Sequence, residues 1–378
     1  MATVALSLVS GFSTSSVAAS GSRFGPAATY QPGGDGVVAG DFTNNGMVDL
    51  MAFDNQDSGI YFYRGLGGGL FAAPVLVGQT NDDNGGYLLA AHLTPDGNLD
   101  LILSSSDAAV FYVWLGNGNG TFEQFNGTEY YNGSSAGVLK QVAVADFNGD
   151  DWPDIVAVGE APGGSGLIQI WCNNHNGTFT FAKSFAEGSG LLSSVVAADF
   201  NGDGHLDFAV ANFDAGYVVP FYGDGHLGFQ RGTPLTTPTP IDLATADLNL
   251  DGHPDLLVSN LADNQVTEFL HSDGGFRPGA VVPVGDQPWQ TSVADFIRSG
   301  PPGFVVANSG DDTASVFAGD GRGDFTSLGT YAMSGSGPVG LGDLRSVIAP
   351  ALSGDGLPDL VGANQEADTV VVRLGQRV

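Results

Sequence analysis

One short motif recurs seven times along this chain, and no other feature restricts its fold so tightly. The copies are GDFTNNGMVDL (40–50), AHLTPDGNLDL (91–101), ADFNGDDWPDI (145–155), ADFNGDGHLDF (198–208), ADLNLDGHPDL (246–256) and ADFIRSGPPGF (294–304). A seventh copy is split into GDLRS (342–346) and SGDGLPDL (353–360). The first positions are Asp41, His92, Asp146, Asp199, Asp247, Asp295 and Asp343, spaced 51, 54, 53, 48, 48 and 48 residues apart. A constant step near fifty residues means one small unit, copied and stacked on its neighbours.

The surroundings of each copy repeat too. An apolar run such as Val142-Ala143-Val144 leads in, and a second such as Ile155-Val156-Ala157-Val158 leads out. A polar turn follows, then a third apolar run such as Val218 to Tyr222. A Gly/Asn/Asp-rich turn ends in Phe, as in GNGNGTF (116–122) and GDGHLGF (223–229), and a looser fourth run closes the unit. Four short strands per unit, with no sustained 3.6-residue period, predict an all-β chain. Seven such units predict a seven-bladed β-propeller over residues 20–378, with an open solenoid as the alternative. The chain ends after a third strand, whereas residues 24–30 resemble a turn-Phe and fourth strand. The N-terminal strand is therefore expected to complete the last blade and close the ring. Residues 1–19 read as an extension, of which 3–9 resemble an extra strand.

Composition agrees. Gly accounts for 58 of 378 residues, yet hydrophobic residues reach 42%, enough apolar surface to form a core rather than a disordered chain. The formal net charge is −30, with 41 acids against 11 bases. That charge excludes a nucleic-acid footprint and disfavours an anionic membrane surface. A single cysteine, Cys172, excludes a disulfide framework. No apolar run is long enough to span a bilayer. The first twenty residues hold no Lys or Arg, so they lack the basic start of a secretory signal.

The motif has the form D-x-[DN]-x-D-G-x-x-D. Oxygen ligands at alternate positions of a tight loop suit a hard cation, and Ca²⁺ in particular accepts six to eight of them. Three loops carry the full set: Asp146, Asn148, Asp150 and Asp154; Asp199, Asn201, Asp203 and Asp207; Asp247, Asn249, Asp251 and Asp255. The first has Asp151 where Gly is expected, a residue that tolerates the left-handed backbone. Weakened copies retain Asp41, Asn45 and Asp49; Asp96 and Asp100; and Asp355 and Asp359. The sixth copy has lost its ligands. Several structural Ca²⁺ ions are therefore expected. Replacing Asp203 and Asp207 with Ala should lower thermal stability only when Ca²⁺ is present.

The strings ADFNGDGHLDFAVAN, ADLNLDGHPDLLVSN and LGNGNGTF resemble the FG-GAP/VCBS-type repeats. Those repeats build the propeller of integrin α-subunit heads, of related bacterial surface proteins and of some fungal lectins. The resemblance implies the same fold, Ca²⁺ in the loops and a secreted, cell-surface or periplasmic setting. It says little about activity.

No catalytic constellation is visible. Of the six His, His205 and His253 share one repeat position and His226 and His271 another, which is repetition rather than a cluster; no G-x-S-x-G elbow is present, and the glycine turns lack the Lys and helix of a phosphate loop. The chain therefore reads as a non-enzymatic binding or adhesion module for a glycan or an extracellular protein. The alternatives are a polysaccharide-acting lyase or hydrolase and a structural subunit of a surface assembly. Acids with an Arg in the central funnel would favour the enzyme; an aromatic, charge-poor funnel would favour the binder. The ligand is expected on the face opposite the acidic loops, where irregular segments carry Tyr87, Tyr130, Tyr131 and Trp289.

Overall fold

The computed structural model describes residues 22–80, 85–124, 127–131, 137–272, 274–334 and 343–377. Among them there is no helix. Seven antiparallel sheets of four strands each form the blades of a propeller. The fourth blade adds a short strand at Leu235–Thr236, and the first carries a small hairpin of Gly65–Gly67 with Leu70–Phe71. The inner strands of blades 1 to 7 are Gly36–Gly40, Gly85–Ala91, Val138–Ala145, Leu192–Ala198, Pro240–Ala246, Pro288–Ala294 and Leu344–Ile348. They touch one another in chain order, and the last meets the first. The expected extra strand at residues 3–9 lies outside the described residues.

The second strands explain why the units must stack. Asp49–Asp54, Asp100–Ser105, Asp207–Asn212, Asp255–Asn260 and Gly303–Asn308 are buried at every position. Successive side chains of a strand point to opposite faces, so a run buried throughout needs a neighbour on both sides. In blade 3, Ile155 and Ala157 pack toward blade 2, while Val156 and Val158 pack toward blade 4. Seven apolar clusters fill the seven gaps between blades, one for each gap.

The ring closes as the sequence predicts. Ala28–Tyr30 pairs with Thr369–Arg373, with Ala28 opposite Val372 and Tyr30 opposite Val370, and Phe24 bridges to Gly375. Phe24 takes the place of the turn-Phe of a complete blade, edge-on to Tyr331 at 4.9 Å and to Phe296 at 6.5 Å. An open solenoid is thereby excluded.

The seventh motif copy needs a correction. Asp343 stands at the start of an inner strand, on the face opposite the acidic loops, where it pairs with Arg345. The seventh loop instead runs from Ala351 to Asp359, with Leu352 buried where other copies have Phe or Leu. There is no insertion. The loop has lost its first acid.

Candidate functional site

The acidic loops join first to second strands on one face of the ring. The ninth position is a buried main-chain clamp. Asp207 accepts the N–H of Phe200 at 2.8 Å and of Gly223 at 2.7 Å. Asp100, Asp154, Asp255 and Asp359 repeat that arrangement, tying their own loop to the end of the third strand. All five are fully buried. Burial, with the nearby charges of Asp150 and Asp146, holds the Asp154 carboxyl up to about 6; burial with Asp203 and Asp199 does the same at Asp207.

The first position organises the loop tip. Asp199 accepts the N–H groups of Gly202, Asp203 and Gly204. The tip backbone is left-handed at the sixth position, with φ +85° at Gly204 and +67° at Asp151, which fills the glycine place as expected. In the Asp146 and Asp199 loops the third side chain donates to the fifth, as Asn201 to Asp203 at 3.0 Å, and His175 Nε2 also lies 3.0 Å from Asp150.

The loops differ in how well they suit a cation. Those at Asp146, Asp199 and Asp247 present oxygen-only donor sets on one tight turn, which fits a hard divalent ion. Among the described residues, no three Asp, Glu, His or Cys side chains close on one centre. An ion would have to draw Asp150 away from Asn148 and His175, and Asp203 away from Asn201. In the first loop the Thr43 hydroxyl donates to Asp49 at 3.1 Å and also reaches Asp41, filling the space with a proton donor. In the second, His92 Nδ1 lies 2.8 Å from the Asn98 carbonyl, the backbone oxygen an ion would use. Neither set fits a cation as it stands. Asn45 accepts from Met47 and Asp96 from Asn98, as ordinary turn residues do.

The opposite face holds the main cavity, about 520 Å³ at the ring centre and lined from all seven blades. Its origin is a repeated irregularity. Six inner strands break register with their second strands near their starts: at Gly85/Leu88, Leu139/Gln141, Leu192/Ser194, Pro240/Asp242, Pro288/Thr291 and Leu344/Ser346. The residues inside those breaks include Tyr87, Lys140, Ser193, Ile241, Trp289 and Arg345, and all six line the cavity. A bulge re-aims a side chain that the regular pleat would send into the core, and bulges gather beside functional sites.

Each wall has its own character. Leu191, Phe213, Ile241 and Leu261 form an apolar arc on blades 4 and 5. Asp35, Asp107, Lys140 and Arg345 form a charged arc across blades 7, 1, 2 and 3. The Arg345 guanidinium lies 4.0 Å from the Trp289 ring centroid and pairs with Asp343. Beneath them runs a polar belt. Asp242 accepts from the Thr291 N–H at 2.9 Å and the Ser194 hydroxyl at 3.2 Å, while Gln141 accepts the Val195 N–H at 2.6 Å. Gln290 accepts from the Ser346 hydroxyl and the Val347 N–H. Burial pushes both Asp35 and Asp242 up to about 7.

Of the four aromatics singled out in the sequence, Tyr87 and Trp289 meet in this funnel. Tyr130 is packed between blades, stacked on Phe111 at 5.2 Å, and Tyr131 is exposed on the outer strand of blade 2. Sequence reasoning missed Lys140, Ile241 and Arg345. One signal was present: Lys140 is one of only two lysines in the chain.

The FG-GAP-like repeat family matches residues 92–157, 146–210 and 199–258, spanning the three complete loops. No curated protein sequence matches the chain. Among solved structures, a chain in the mercury-soaked crystal of BBS1N in complex with ARL6DN is similar, with a TM-score of 0.65 and 11% identity. The match covers 94% of this chain and 98% of that one. The lead-soaked crystal of the same complex gives 0.60 and 12% over the same shares. At such identities the likeness is one of fold.

Proposed function

We propose that this chain, a seven-bladed propeller carrying FG-GAP-like repeats, is a binding module that receives its ligand in the central funnel. The observation that carries this reading is the row of six bulges, which turns a residue from each of six blades into a single cavity. The similar fold solved in a complex of two proteins favours a protein ligand over a glycan. On this reading, Ca²⁺ ions at Asp146/Asn148/Asp150, Asp199/Asn201/Asp203 and Asp247/Asn249/Asp251 stiffen the opposite face. An extracellular setting supplies the millimolar Ca²⁺ that weak loops require.

The funnel holds acids and an Arg as well as aromatics, so the enzyme reading has some support. Asp242, however, is committed to structural hydrogen bonds, and Asp107 faces the field of Lys140. Glycoside hydrolysis needs two carboxyls free to act on one bond. Binding is the better fit.

The test is a protein and glycan array, probed with wild type and with Ser193→Trp, which fills the funnel from blade 4. A ligand lost in the variant at unchanged melting temperature supports the reading. A ligand that binds both equally overturns it.

A further inference from the structure

We infer that the funnel takes an organic cation, the ammonium or guanidinium of a partner protein's basic side chain, against the Asp35 carboxylate. This rests on the funnel as the binding site and names the chemistry it selects.

The charges of the wall carry the inference. Three acids, Asp35, Asp107 and Asp242, and two bases, Lys140 and Arg345, line the cavity. Arg345 is matched by Asp343 and lies on Trp289. Lys140 has Asp107 as the acid that most favours its charge. Asp242 is satisfied by the Ser194 hydroxyl and the Thr291 N–H. Asp35 is left over. Among the described residues its carboxylate makes no hydrogen bond and no ion pair, although it is largely withdrawn from water. A carboxylate held in that way is stabilised by an incoming cation with donors to offer.

The shape of the site agrees. Asp35 immediately precedes Gly36, the first residue of the inner strand of blade 1, and a Cβ at Gly36 would press on Leu88 of blade 2. Tyr87 lines the cavity on the neighbouring blade 2, and aromatic rings attract cations. The apolar arc on blades 4 and 5 suits the hydrocarbon stem or a neighbouring side chain of a peptide. A chain of net charge −30 also steers cations toward a cleft. Lys140, like Asp35, makes no ion pair among the described residues, but acids outnumber bases on this wall by three to two.

The probes are acetylated, amidated pentapeptides that differ only in a central Lys, Arg, Gln or Glu, together with putrescine as a free amine. Binding is measured by titration calorimetry on the Ca²⁺-loaded full chain. The Lys or Arg peptide is expected to bind roughly tenfold or more tightly than the Gln peptide, the Glu peptide most weakly. Asp35→Asn should erase that preference, and Asp35→Glu should retain it, both at the wild-type melting temperature. Equal binding of the Gln peptide, a preference that survives Asp35→Asn, or no binding of either cationic peptide would overturn the inference. Putrescine binding as tightly as the peptides would overturn a protein source. An array ligand lost in Ser193→Trp yet lacking any cation would also overturn it, while leaving the funnel as the binding site.

Discussion

At the scale of single residues, the motif acids divide into two jobs. Asp203 sits exposed on the loop tip, where the proposed ion would be held, whereas Asp207 is buried and holds two main-chain N–H groups. Asp207→Ala should cost about 3 kcal/mol with or without Ca²⁺, because it strands the N–H groups of Phe200 and Gly223. Asp203→Ala should cost little in EDTA and more once Ca²⁺ is added. Urea unfolding in both buffers checks this, and equal losses for Asp203→Ala in the two would count against an ion there. The sequence alone could not separate these roles, since a carboxylate that binds an ion and one that binds backbone amides are the same letter at the same offset. Glu268 makes a second case. It is fully buried on a third strand, its Oε1 has no partner, and burial raises its carboxyl from 4.5 to about 7. A raised acid stabilises the fold fully below its unfolded value, and that stabilisation is lost as pH climbs through the folded value. Wild type should therefore weaken between about pH 5 and pH 8 more than Glu268→Gln does. Parallel melting curves in EDTA would refute this.

At the scale of elements, strand count and blade order were legible because a fully buried second strand leaves a continuous apolar run. The bulges were not. One extra residue in an inner strand scarcely changes the apolar pattern, yet it redirects Lys140, Ile241 and Arg345 into the funnel. The split seventh copy was misaligned for a related reason: Gly-Asp-Leu at 342–344 imitates a motif start, while the true first position has become Ala351. Blade 1 departs from its neighbours at the surface. Met47, Leu66, Leu70, Val75 and Leu76 are exposed, and Val75 and Leu76 lie on the outer strand Val75–Gln79, which has no charged residue. Such an edge invites pairing with another chain. Val75→Lys should slow aggregation on heating, followed by light scattering, without shifting the melting temperature. Unchanged aggregation would show that this edge is not the route.

At the scale of the whole molecule, stability depends on closure. Ala28–Tyr30 is the only outer strand of the last blade among the described residues, and it binds the chain's two ends in one sheet. Removing residues 1–30 should expose the Thr369–Arg373 edge and abolish a single cooperative melting transition. A truncated chain that melts like the full one would contradict closure by this strand. The ring also separates two features by face, with acidic loops on one and the bulge-lined funnel on the other, and each has its own proposed task.

That division can be tested by measuring a funnel ligand's affinity and the melting temperature together, in one set of variants. The set pairs Tyr87→Ala, Ile241→Asp and Arg345→Gln with Asp150→Ala, Asp203→Ala and Asp251→Ala. The expected result is that the first three lose the ligand and keep their melting temperature, while the last three keep the ligand and lose the Ca²⁺-dependent part of their stability. Loss of ligand in the loop variants, with the funnel variants binding as wild type does, would contradict it.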